Sequence, residues 1–146
     1  MYKRQIRGYI DALKKHNLPL DTELLIESSL TIEDGRKRMS QLLKLKNRPD
    51  AVYIASDYAA LGALQVLKEQ GVKIPTEIAL VGFGNEPFTA MVTPSITSVN
   101  QHSGEIGRLA ALTFLEHVEK DTITQNLHKK ILDAELIIRD SSEEKK

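Results

Sequence analysis

Two unbroken apolar runs, residues 51–56 (AVYIAS) and 78–83 (IALVGF), constrain this chain more than any other feature. A strand covered on both faces of its sheet has no reason to alternate polar and apolar positions, so each run predicts a strand of a buried parallel sheet. Between them Ala60, Leu61, Leu64 and Leu67 recur at i, i+3 or i+4 spacing and predict a helix from Asp57 to Gln70. Gly71 stands where a left-handed residue closes a helix. The result is a β-α-β unit, whose crossover brings the C-terminal ends of both strands to one edge. In open α/β sheets the ligand crevice lies at that edge. Here it carries Ser56 and Asp57 from the first strand, and Gly84, Asn85 and Glu86 from the second.

The flanking sequence extends the same plan. Ile6, Tyr9, Ile10 and Leu13 predict an amphipathic helix ending near Asn17, with Pro19 as its stop. Leu24 to Glu27 reads as a short strand, and Thr31 with Asp34 as the cap of a helix through Met39, Leu42, Leu43 and Leu45. A turn at Asn47 to Asp50 leads into AVYIAS. After Thr93 and Pro94, Ile96 to Val99 predicts a further strand, followed by a helix from Ser103 to Val118. The stripe on that helix, Ile106, Leu109, Ala110, Thr113 and Phe114, needs a partner surface. Glu119 to Asn126 reads as a loop, Ile131 to Ile138 as a last strand, and residues 141–146 (SSEEKK) as a disordered tail. The predicted fold class is α/β, a three-layer doubly wound and mostly parallel sheet. Met1 to Gln5 enter a helix with neither a cap nor a preceding strand. They read as the translation of a sequencing adapter, a scar before a native chain that begins earlier.

Composition narrows the function. A length of 146 residues suits one domain with a real core. Twenty basic and twenty acidic residues leave no net charge, which argues against a nucleic-acid footprint in this segment. The basic runs Arg36 to Arg38 and Lys44 to Arg48 read as solvated helix faces. The absence of cysteine excludes disulfide and thiol chemistry and fits the cytoplasm. No apolar run approaches the roughly 18 residues of a membrane span. Gly82-Phe83-Gly84 is not a dinucleotide fingerprint, because Pro87 stands where the third glycine belongs, so no nucleotide cofactor is expected. His16, His102, His117 and His128 have no metal-ligand spacing, and no nucleophile elbow is present. The sequence supports no cofactor, no metal and no catalytic residue.

The polar residues of the strand edge each have a plain reading beside the functional one. Ser56 or Asp57 can cap the helix through a side-chain oxygen, and either can also bond a small polar ligand. Asn85 and Glu86 can form an Asx-type turn before Pro87, or line the crevice. Gln101, just after the strand Ile96 to Val99, is a crevice side chain or a linker residue.

Taken together, Arg7-Gly8-Tyr9 with Ala12-Leu13, residues 49–75 (PDAVYIASDYAALGALQVLKEQGVKIP), residues 78–87 (IALVGFGNEP), residues 94–99 (PSITSV) and Gln101 with Gly107 resemble the sensor domain of the LacI/GalR family of bacterial transcription regulators. The resemblance spans residues 6–140 in unbroken order. It implies a type I periplasmic-binding-protein-like fold of two lobes with an effector in the cleft between them. A separate N-terminal helix-turn-helix, absent from this chain, would bind operator DNA as a homodimer. On this reading the chain is mostly the C-terminal lobe, truncated at its N-terminus and lacking that lobe's first strand, and the helix 103–118 belongs to the N-terminal lobe. The family pattern also departs here: Gly84 replaces a common aspartate, Ser56 a common asparagine, and Leu30 a frequent aromatic platform, while Gln5 stands where an arginine is usual. The resemblance then points to Ser56, Asp57, Asn85, Glu86 and Gln101 as ligand-binding residues, with Leu30 packing on a small polar ligand such as a sugar. An exported sugar-binding protein of the same fold is the alternative, and a nucleotide-dependent enzyme a more distant one.

Overall fold

The computed structural model describes residues 3–119 and 130–143. Its helices are α1 (Lys3–Lys15), α2 (Ile32–Leu42), α3 (Asp57–Glu69) and α4 (Ser103–Glu119). Its strands are β1 (Ala51–Tyr53), β2 (Ala79–Phe83), β3 (Thr97–Asn100) and β4 (Glu135–Ile137), and short 3-10 turns cover Thr22–Leu24 and Pro87–Ala90. The four strands form one sheet in the order β1-β2-β3-β4. β1, β2 and β3 run parallel, and β4 returns antiparallel to β3, with Ser98 opposite Ile137 and Asn100 opposite Glu135. This is an α/β lobe with a mostly parallel sheet.

The helix between the two apolar runs forms where the spacing places it. α3 ends at Glu69, and Gly71 takes φ 70°, a conformation open to glycine without the Cβ penalty other residues meet. α2 begins behind Thr31, whose hydroxyl accepts the Asp34 amide N–H at 3.1 Å, so the expected cap is present. α3 packs on α2 and over β2. Met39 and Leu42 from α2, Ala60, Ala63, Leu64 and Leu67 from α3, Leu80 from β2, and Ile78 and Ile96 just before β2 and β3 make one buried cluster. Burying each larger side chain contributes about 1.5–3 kcal/mol.

Three expectations need correction. Leu24 to Glu27 is not a strand: the 3-10 turn ends at Leu24 and the following residues join no ladder. β1 ends the sheet order, and among the described residues no strand lies beside its outer edge for this segment to pair with. Nor is the run 51–56 buried on both faces. β1 is three residues long, with Ala51 and Tyr53 exposed and Val52 half-buried. β2 alternates, with Leu80 and Gly82 buried and Ala79, Val81 and Phe83 half-buried, so α3 closes one face and the other is partly open.

The third correction concerns the tail expected from residue 141. Ser141 is fully buried; its amide donates to Ser95 O at 2.9 Å, its carbonyl accepts Leu80 N–H at 2.8 Å, and its hydroxyl oxygen accepts Thr97 N–H at 2.8 Å. The polar composition of SSEEKK concealed a serine that replaces ladder bonds at a strand end. Residues 144–146, and nearly all of the expected loop 119–126, lie outside the described residues.

Candidate functional site

At the C-terminal ends of β1 and β2 the backbone turns sharply. Asp57, the first residue of α3, is 1% exposed. A buried carboxylate must be fully bonded to be tolerated. Asp57 Oδ2 accepts the Glu86 amide N–H at 2.8 Å and Oδ1 accepts the Ser98 hydroxyl at 2.7 Å. Ser98 Oγ in turn accepts the Asn85 amide N–H at 3.0 Å. One carboxylate thus pins the loop after β2 to α3 and β3. Gly82 is required beneath it, since a Cβ there would run into Asp57 Oδ1.

Neither Ser56 nor Asp57 serves as the helix cap that the sequence allowed. Ser56 holds the N-cap position without a side-chain cap bond, and its hydroxyl donates to Leu30 O at 3.3 Å. Leu30 takes φ 62°, a left-handed conformation uncommon for a residue with a branched side chain. Its surroundings hold it there: Ser28 Oγ accepts its amide N–H at 3.0 Å, and the neighbouring Ser29 amide donates to Asp34 Oδ2 at 2.7 Å. Bonds to Ser28 and to the Ser29 amide, with the Arg38 charge, keep the Asp34 carboxyl below its ordinary value despite partial desolvation. Tyr53, at the end of β1, is exposed along part of its ring, yet partial desolvation and then the negative charge of Asp57 push its phenol up, with a bond to Gln5 opposing.

Asn85 and Glu86 follow Gly84 at the end of β2. Asn85 takes φ 57°. Its side chain does not close an Asx turn; Oδ1 accepts from Arg139 at 2.7 Å. Glu86 is half-buried and stands at the N-cap of the 3-10 turn without a side-chain cap bond. The structure therefore brings Leu30 to Ser56, and Asp57 to Asn85 and Glu86. Gln101 follows the C-terminal end of β3, which runs parallel to β2; it is exposed and lines a groove of about 530 Å³ with Ile106, Leu109, Thr113 and Leu132, between α4 and the segment before β4. Sequence reasoning missed Ser98, which relays Asp57 to Asn85, and Arg139. A charged residue directly after the apolar run ending at Ile138 was the available signal. Among the described residues no group of three or more histidine, aspartate or glutamate side chains is placed to hold a metal ion, and no helix is long and apolar enough to cross a membrane.

A parallel α/β lobe with a polar edge at its strand ends defines a crevice domain of the periplasmic-binding type. The chain belongs to the periplasmic binding protein-like domain family, matched over residues 2–142, as a portion of the effector-binding domain of LacI-family regulators. It is 36% identical over 138 residues to the HTH-type transcriptional repressor CytR of Escherichia coli K12, covering 94% of this chain and 40% of the repressor. The crystal structure of a LacI family transcriptional regulator from Lactobacillus casei with bound glucose is similar at a TM-score of 0.82 and 26% identity, over 97% of this chain and 50% of that one. A complex of the transcriptional regulator CelR with cellobiose gives a TM-score of 0.84 and 31% identity, over 94% and 41% of the two chains. The relatives are transcriptional repressors and regulators rather than enzymes. This chain spans about 40% of the length of the curated relatives it matches.

Proposed function

We propose that this chain is the effector-sensing part of a LacI-type regulator, and that a small polar molecule, of which a sugar is the leading class, binds at the strand-end edge within a cleft shared with a second lobe. The observation that carries this reading is the convergence of Leu30, Ser56, Asn85 and Glu86 on one edge over a buried, fully bonded Asp57. A pre-organised polar edge beside an apolar side chain is how sites of this kind orient small ligands. Ser56, Asn85 and Glu86 bond the ligand, Leu30 packs on it, and Asp57 serves from beneath by fixing the loop. Gln101 joins from the groove on α4, the helix assigned to the second lobe. The bound glucose and cellobiose of the structural neighbours support a carbohydrate class.

The effector works only through different affinities for two lobe arrangements, and closure is passed to a DNA-binding domain outside this chain. The complete protein then acts in the cytoplasm as a homodimer on operator DNA. Its test is a thermal-shift screen of the complete protein against sugars and nucleobases. A ligand at 100 times its Kd raises stability by about 2.7 kcal/mol. Stabilisation by one member of the screen is the expected outcome, and none by any small molecule contradicts the sensor reading. The upstream reading frame separates the rivals: a helix-turn-helix supports the regulator, and a signal peptide supports an exported binding protein.

A further inference from the structure

Arg139 follows β4, the strand that returns to the sheet after α4, and is half-buried. Among the described residues its three guanidinium bonds all go to neutral oxygens. Nη1 donates to Ile96 O at 2.7 Å and to Thr89 Oγ1 at 3.2 Å, and the other amino nitrogen donates to Asn85 Oδ1 at 2.7 Å. Its backbone is also fixed, because the Arg139 amide donates to Thr97 Oγ1 at 2.7 Å. An arginine has donors and no acceptor. The atom of the Asn85 amide that meets it is therefore the oxygen, which settles an orientation that the shape of an amide alone leaves open. The Asn85 backbone is held from the other side by Ser98 and, through Ser98, by Asp57. With Oδ1 turned to Arg139 and its backbone at φ 57° fixed, Asn85 has its NH₂ group, which carries two donors, as the end of the amide directed away from Arg139.

We infer that Arg139 is a positioning residue of the effector site, which fixes the Asn85 amide so that the crevice loop presents hydrogen-bond donors and selects a ligand with an acceptor oxygen there. This rests on the proposed crevice function. The same bond ties the returning strand to the crevice loop, so the loop geometry that a ligand meets depends on how the two strands joining α4 to the sheet are seated.

Amide hydrogen exchange in the complete protein tests the positioning without a ligand. Arg139→Gln is expected to speed exchange at Asn85 and Glu86 at least tenfold while Ala63 to Leu67 in α3 stay at the wild-type rate. Asn85→Asp, which keeps an acceptor for Arg139, is expected to leave the loop protected. Should Arg139→Gln fail to fold, Arg139→Lys, which keeps the charge but lacks the fork that reaches Ile96 O and Asn85 Oδ1 together, carries the same prediction. Unchanged exchange at residues 85 and 86, or a uniform rise that includes α3, overturns the inference. Titration with glucose, sucrose and cellobiose separates the two readings. If one binds, Asn85→Asp should weaken it at least tenfold despite the intact loop, and equal affinity overturns the donor role. If none binds but Arg139→Gln loosens the loop, the positioning stands and the sugar reading falls.

Discussion

The α2–α3–β2 half of the molecule and the α4–β4 segment are both rich in aliphatic side chains, yet only the first buries them. Leu67, Ile78, Leu80 and Ile96 are fully enclosed. On α4 and the returning segment that ends in β4, Phe114 is 67% exposed, Ile131 71% and Leu136 54%. The periodicity of α4 is as clear as that of α3, so the difference is not one of helix quality. It lies in what each helix faces: α3 lies between α2 and the sheet, while α4 has its stripe toward a surface the described residues do not supply. A contiguous apolar face of this kind marks an interaction surface. Under the proposed function that surface packs against the rest of the second lobe, to which α4 belongs, and the cleft between that lobe and the α2–α3–β2 half holds the effector.

The contrast breaks first at the core. Leu67→Ala should cost about 2–5 kcal/mol in chemical denaturation, because it opens a cavity among side chains that cannot collapse into it. Phe114→Ser should change stability by less than about 0.5 kcal/mol, as expected for an exposed site. Comparable costs at the two positions would show that α4 is packed in solution. Next in size, Asp57→Ala leaves the Glu86 amide and the Ser98 hydroxyl without their acceptor and should cost about 2 kcal/mol, measured the same way. Gly82→Ala should act through the same carboxylate, by about 1–3 kcal/mol, since its Cβ displaces Asp57. Its cost should shrink in the Asp57→Ala background, and full additivity would deny the contact.

The smallest effect is electrostatic. The folded Asp34 carboxyl titrates below its ordinary 3.8. A depressed carboxylate contributes stability above the unfolded value, and that contribution is lost as pH falls through the folded one. Asp34→Asn should therefore be less stable than wild type at pH 7, with the gap closing below about pH 4. A gap that persists unchanged in acid would remove the charge from the explanation.

Much of the lobe was legible because local pattern and tertiary demand agree. Ala60, Leu64 and Leu67 mark α3, Gly71 ends it, and Thr31 caps α2. Where the fold depends on a neighbour, pattern alone misled. AVYIAS is apolar enough for a central strand, but a strand is central only if another pairs with its far edge. Leu24 to Glu27 fails for the same cause. At the site, position was readable and bonding was not. Ser56 and Asp57 look like caps because their types are those of caps, yet one reaches Leu30 and the other binds across 29 and 41 residues to Glu86 and Ser98. Ser141 was hidden by polar surroundings, and Arg139 was marked only by its charge after an apolar run, which does not announce partners more than 40 residues away.

Hydrogen exchange along α4, measured in this chain alone and in the complete protein, reports most directly on a cleft made from two lobes. Such a cleft predicts that α4 exchanges far faster than α3 in the isolated chain and slows toward the α3 rate once the rest of the protein is present. Equal protection of α3 and α4 in the isolated chain, or no slowing of α4 in the complete protein, would contradict it.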